Sequence, residues 1–207
     1  IKEAVHLWKV DRTDFWMLIV TFIGTLSLGI EEGILIGVVL SLGLIIYQTT
    51  KPHVAILGKI PGKPHYKNLD RFPNLENRPE LLILRFDARM YFANVNFFNE
   101  TLEEAVEKKG AALKSVIFDA DSVNSMDSSA LHALDEWVKR FKGMNVQFLM
   151  TGVKGPVRDA LHKSGLIDQI GADHFFMRIQ HAVDYLNNEH HVEYQNYLLQ
   201  TNTTATE

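Results

Sequence analysis

Two apolar stretches without a single charge lie near the beginning of the chain and constrain its fold more than any other feature. They cover residues 15–30 and 33–50, and only Glu31 and Glu32 separate them. A helix that crosses a bilayer needs about 20 apolar residues, and neither stretch has the periodic polar face of a soluble surface helix. The sequence therefore predicts a membrane hairpin with its turn at Glu31–Glu32. Its two helices are either short spanning helices or half-depth helices packed against other membrane segments.

Basic residues predict how this hairpin is oriented. They flank both of its ends, at Lys2, Lys9, Arg12, Lys51, Lys59, Lys63 and Lys67. Because cytoplasmic loops carry an excess of lysine and arginine, we expect both ends in the cytoplasm. Gly33, Gly37 and Ser41 recur at four-residue spacing, which allows another helix to approach closely. The alternative is a buried helical hairpin of a soluble protein.

Composition excludes several classes of function. The net charge is -4 and no basic cluster is present, so we expect no nucleic-acid partner. The chain has no cysteine, which excludes disulfides, thiolate metal sites and cysteine nucleophiles. The nine histidines are scattered without metal-ligand spacing, so no metal site is predicted. The first residue is Ile1 rather than Met, so we expect a longer polypeptide to precede it.

From residue 51 onward, strands and helices alternate as in a soluble α/β domain. Strands are predicted over residues 53–60, 81–86, 90–92, 115–120 and 145–150. Helices are predicted from a cap at Asn94 to Lys109, over 128–142, from Pro156 to Gly165 and over 179–188. This alternation predicts a mixed sheet with helices packed on it. The polar tail, residues 190–207, is predicted to be disordered.

One polar segment joins the end of a strand to the start of a helix. It contains the candidate site residues, which are Asp119, Asp121, Asp127, Ser128 and Ser129. Free N–H groups and the positive end of the helix dipole make such a place suited to an anion or a phosphoryl group. The residues by themselves favour the simpler interpretation, a well-capped helix after a buried strand. No nucleophile–base pair can be assembled, so no catalytic residue is predicted.

Several motifs in order resemble a known family. The segment MDSSALHAL followed by VRDALHKSGL resembles the STAS domain, named for sulfate transporters and anti-sigma factor antagonists. The apolar hairpin, QTTKPHVAILGKIPG and LRFDARMYFAN resemble the C-terminal end of the SulP sulfate permease family. The resemblance implies an α/β STAS-type domain over residues 51–189, preceded by a membrane hairpin over 1–50. In regulatory STAS domains the first serine of the DSS motif is phosphorylated, which implies Ser128 here, although Ala130 replaces the usual glycine.

The resemblance also implies a function. The chain would be the C-terminal fragment of a multi-pass cell-membrane transporter for sulfate or a related anion, such as the inorganic anion bicarbonate or a dicarboxylate, with the STAS domain in the cytoplasm. No enzyme activity, cofactor or substrate-binding residue is expected in this fragment. Membrane lipid, a second copy in a homodimer, and a regulatory protein or nucleotide are the implied partners. The alternative is a membrane-tethered STAS regulatory module switched by phosphorylation or nucleotide binding.

Overall fold

The computed structural model describes residues 2–187, with side chains from His6 onward. Contacts divide the chain into two compact units, one up to Lys51 and one from Pro52 onward. The predicted polar tail over residues 190–207 lies outside the described residues.

The first unit consists of three helices, α1 (Lys2–Val10), α2 (Arg12–Leu28) and α3 (Ile30–Thr50). The two apolar helices of the predicted hairpin are therefore present, but the predicted turn was wrong. Gly29, with φ of +118°, separates α2 from α3. Glu31 and Glu32 lie in the first turn of α3, where the positive end of the helix dipole favours carboxylates.

Helices α2 and α3 pack closely through small residues. A Cβ atom added at Gly33 would lie 2.6 Å from Thr25 Cα, which explains why this position carries no side chain. The outer surface of the pair is apolar. Ten large apolar side chains of α3 are exposed, from Leu40 at 37% to Ile30 at 71%. Among the residues that the structure describes, α3 alone is long and apolar enough to cross a membrane, with a mean hydropathy of 2.0.

The second unit is built on one six-stranded mixed sheet, as predicted. Its strands are β1 (Val54–Lys59), β2 (Tyr66–Asn68), β3 (Leu81–Phe86), β4 (Ser115–Asp119), β5 (Gln147–Thr151) and β6 (Phe175–Phe176). They lie in the order β2-β1-β3-β4-β5-β6. Strands β3 to β6 are parallel to one another, and β1 runs antiparallel to both of its neighbours.

Helices cover the two faces of the sheet unequally. They are α4 (Val95–Lys109), α5 (Ser128–Gly143), α6 (Gly155–Lys163), α7 (Leu166–Ile170) and α8 (Ile179–Leu186). The larger core lies on the face covered by α4 to α7, where Leu84, Phe118 and Leu134 are buried together. The smaller core lies on the opposite face, where Ile83, Ile117 and Leu149 pack with residues of α8. Period-two alternation along each strand sends successive side chains to opposite faces.

Candidate functional site

The site is the edge of the sheet where the parallel strands end. We call it the carboxyl edge: the last residues of β3 to β6 together with the loops that follow them. Arg85 pairs with Asp119, and Asp119 pairs with Thr151, across three neighbouring parallel strands. Because paired residues point to the same face, these three side chains form one polar row on the α8 side of the sheet.

Asp119 is the buried carboxylate of this row. It is 7% exposed, and its Oδ1 accepts a hydrogen bond from Thr151 Oγ1 at 3.0 Å. The backbone N–H of Asp121 lies 3.4 Å from the same oxygen. Burial raises the pKa of Asp119 above its ordinary value, and the hydrogen bond from Thr151 offsets this only in part. The folded domain therefore holds a proton on Asp119 more readily than the unfolded chain does.

We expect replacement of Asp119 by asparagine to raise the melting temperature at neutral pH. Between the ordinary pKa and the raised folded pKa, the folded state binds more protons than the unfolded state, so ionisation of Asp119 lowers stability as pH rises. Asparagine carries no charge and retains an oxygen that can accept from Thr151. Melting of both proteins from acid to neutral pH should show a difference that grows with pH. A difference that is constant over this range would contradict the assignment.

The Arg85 side chain forms an ion pair with Asp87, although Asp119 is its neighbour in the strand register. Its Nε and Nη2 donate to the two carboxylate oxygens of Asp87 at 2.7 and 3.0 Å, and His53 Nδ1 lies 2.7 Å from Asp87 Oδ2. Burial by itself would raise the pKa of Asp87, but the hydrogen bonds from Arg85 and His53 outweigh it and hold that pKa below its ordinary range. The sequence gives no signal for the contact of His53 with Asp87, because these residues are 34 positions apart and only the pairing of β1 with β3 brings them together.

Asp127 caps helix α5, as one of the two sequence interpretations requires. Its Oδ1 accepts from the N–H of Ala130 and its Oδ2 from the N–H of Phe92, both at 2.9 Å. A parallel bridge between Met90 and Met126 places these segments side by side. Residues 90–92 therefore form a bridge and a turn rather than the predicted strand. Both carboxylate oxygens of Asp127 are thus occupied in holding the start of α5.

The two serines differ in access. Ser128, the first residue of α5, is exposed, whereas Ser129 is half-buried. Asp127 and Ser128 are neighbours at the helix start, while Asp119 and Asp121 form a separate pair at the end of β4. The five predicted site residues therefore divide into two groups along one loop, and Ser128 is the accessible hydroxyl.

The loop after β5 packs against the loop after β4, which leads to Asp127 and Ser128. Gly152 adopts a φ of +65°, and a Cβ atom there would lie 2.9 Å from both Asp121 Cα and Asp121 N. Lys154 Nζ donates to Asn124 Oδ1 at 2.8 Å. Gly152 and Lys154 therefore serve as a close-packed turn. Among residues 2–187, no group of three His, Asp or Glu side chains is placed to hold a metal ion.

Comparison with known proteins gives a consistent result. The family model described as "STAS domain" matches residues 72–182. Sulfate transporter 4.1, chloroplastic, from Arabidopsis thaliana is 34% identical over 190 residues, which cover 87% of this chain and 28% of that protein. High affinity sulfate transporter 2 from Stylosanthes hamata is 33% identical over 191 residues, covering 88% of this chain and 29% of that protein.

A solved structure shows the same fold. The structure of the murine solute carrier 26 family member A9 anion transporter in the inward-facing state matches 89% of this chain and 30% of that chain. The TM-score is 0.78 and the sequence identity is 20%. The chain therefore spans under a third of the length of each of these proteins.

Proposed function

Because the chain belongs to the STAS domain family, we propose that it is the C-terminal part of a secondary transporter for sulfate or a related anion. The carrying observation is the extent of the similarity. An alignment over 190 residues includes part of the apolar helices as well as the STAS domain, and the relatives found in this way are named as sulfate transporters. In this proposal α3 crosses the membrane, α2 with its 17 residues is the preceding membrane helix at the short limit of the spanning range, and the STAS domain lies in the cytoplasm.

The transported anion binds outside this fragment in our proposal. Transporter sites are built near the bilayer midplane from broken helices. Helices α2 and α3 are each continuous. Their acidic residues are Asp14 in α2 and Glu31 and Glu32 in α3. Anion binding therefore belongs to membrane helices upstream of Ile1, and sulfate, bicarbonate or a dicarboxylate are the candidate substrates. We assign no catalytic activity and expect the transporter to be a homodimer.

The membrane arrangement predicts the outcome of a labelling experiment. Single cysteines are introduced at Glu32 or at Lys63, since this part of the protein has none of its own, and the protein without either change gives the background. Both positions are exposed. We expect an impermeant thiol reagent added to intact cells to label position 32 but not position 63, because the hairpin turn faces away from the cytoplasm. Permeabilised cells, in which both positions should react, provide the control. Labelling of both from outside would contradict the hairpin.

We further propose that Ser128 is a regulatory phosphorylation site. It is exposed at the start of α5, where the positive end of the helix dipole favours a phosphoryl group. Asp121 and Asp127 oppose the added charge, but Asp127 is already hydrogen-bonded to two backbone N–H groups. The runner-up function, a membrane-tethered regulator, rests on this same exposed serine and requires no transport.

Replacement of Ser128 by aspartate should change anion uptake by the complete transporter while leaving the melting temperature of the STAS domain nearly unchanged. The added charge lies at an exposed loop end rather than in the core. Ser164, exposed directly after α6, gives a control outside this loop, since its replacement by aspartate adds the same charge. We expect Ser128→Ala to remove phosphorylation. Unchanged uptake and partner binding in both Ser128 variants would exclude the regulatory role.

A further inference from the structure

The chain enters the STAS domain at the carboxyl edge. Strand β1 is antiparallel to β3, and its first residue, Val54, pairs with Phe86, the last residue of β3. Helix α3 ends at Thr50. The four residue steps from Thr50 to Val54 span at most about 14 Å when fully extended. The end of α3, and with it the membrane that α3 crosses, therefore lies within about 14 Å of Val54, where the chain enters the domain.

The carboxyl edge also exposes large apolar side chains. Phe92, in the loop after β3, is 73% exposed, and Met177, directly after β6, is 59% exposed. The Phe92 ring lies beside Tyr91, with their centroids 5.5 Å apart. Single exposed apolar residues are common on protein surfaces. These two, however, belong to loops at the same edge, which is the edge that receives the chain from α3.

The exposed charges at this edge are mainly positive. Arg89, Lys154 and Arg178 are exposed, and Asp121 is the exposed acid of the same loops. Of the other carboxylates there, Asp87 is paired with Arg85 and Asp127 caps α5. Basic residues near an anionic bilayer are attracted to its surface. The charge and the apolar side chains together match the headgroup region of a bilayer that contains acidic lipids.

We propose that the carboxyl edge docks on the headgroup region of an anionic bilayer, with Phe92 and Met177 inserted at the boundary of the acyl chains. The inference rests on the proposed crossing of the membrane by α3. Docking gives Phe92 and Met177, which are exposed and lie outside the core of the domain, a function in membrane attachment. It also places Ser128 at the margin of the docking surface, so that a phosphoryl group there would repel the acidic lipids.

Site-directed spin labelling of the whole chain tests this docking. Single cysteines at Phe92, Met177, Met144 and Leu42 are labelled with a nitroxide in separate samples, and the protein is reconstituted into phosphatidylcholine nanodiscs with or without phosphatidylserine. Collision rates with oxygen and with a water-soluble nickel complex report depth. Met144, 44% exposed at the C-terminal end of α5, is the matched control for Met177. Leu42, 59% exposed on α3, reports whether that helix enters the bilayer.

In nanodiscs containing phosphatidylserine, we expect the ratio of oxygen to nickel collisions to be higher at positions 92 and 177 than at position 144. In pure phosphatidylcholine, the ratio at positions 92 and 177 should fall towards the value at position 144. Equal ratios at 177 and 144 in acidic lipid, with a high ratio at 42, would overturn the docking alone. A low ratio at 42 would overturn the membrane anchoring as well. Loss of both collision rates at 92 and 177, in nanodiscs and detergent alike, would indicate a protein contact and reject the lipid surface.

Discussion

Replacement of Leu134 by aspartate should unfold the STAS domain or lower its melting temperature by at least about 10 °C. Leu134 lies on α5 in the larger core and is 0% exposed. Loss of a buried leucine side chain alone costs roughly 2–5 kcal/mol, and an unpaired buried carboxylate adds several more or must be protonated. This sum is comparable to the whole free energy of unfolding of a typical domain, about 5–15 kcal/mol.

The matched control for Leu134 lies on the same helix. His132 has a side chain that is 74% exposed, so His132→Asp introduces the same residue without entering the core. Thermal melting of the whole chain in detergent, followed by circular dichroism, should show a large loss for Leu134→Asp and a change within about 1 kcal/mol for His132→Asp. A cooperative transition of Leu134→Asp near that of the parent would show that α5 does not pack as described.

Replacement of Gly152 by alanine should destabilise the domain by about 3 kcal/mol. The positive φ at Gly152 costs a residue with a side chain roughly 1–2 kcal/mol. The added Cβ would also press on the backbone of Asp121 at 2.9 Å, and forced shifts of packed atoms cost roughly 1–3 kcal/mol.

Gly165 separates the two causes of this effect. It has a comparable φ of +75°, but no atom lies within 4 Å of the position that its Cβ would occupy. Gly165→Ala should therefore cost about 1 kcal/mol from the backbone alone. Melting of the two variants side by side measures the contribution of the contact with Asp121. Equal melting temperatures for both would show that the loops after β4 and β5 do not press on each other.

The parts of the fold that follow a local pattern could be predicted from the sequence. The apolar runs of β3 and β4 and the capped start of α5 at Asp127 lie where their sequences indicate. Strands β2 and β6 could not be predicted, because three and two residues are too few to show a period. The hairpin turn lies two residues before the predicted one, because Gly29 interrupts the helix while Glu31 and Glu32 fit into the first turn of α3.

Less of the candidate site than of the fold could be predicted from the sequence. Asp127 and Ser128 belong to one continuous motif and were found from it. The row of Arg85, Asp119 and Thr151 depends on the register of three strands, and the link from Asp87 to His53 depends on β1 running antiparallel to β3. Such contacts join residues that are more than 30 positions apart. Sequence order alone carries no signal for them, although a polar residue at the end of a buried strand marks each member as a candidate.

Uptake of radiolabelled sulfate by the complete polypeptide, reconstituted in liposomes, tests most directly whether this chain is the end of an anion transporter. We predict saturable uptake that unlabelled sulfate competes with, or the same behaviour with bicarbonate or a dicarboxylate if one of these is the substrate. Melting of the STAS domain in the same preparation establishes that the protein is folded. Folded, membrane-inserted protein that takes up none of the three labelled anions above empty liposomes would contradict the transporter and leave the tethered regulator.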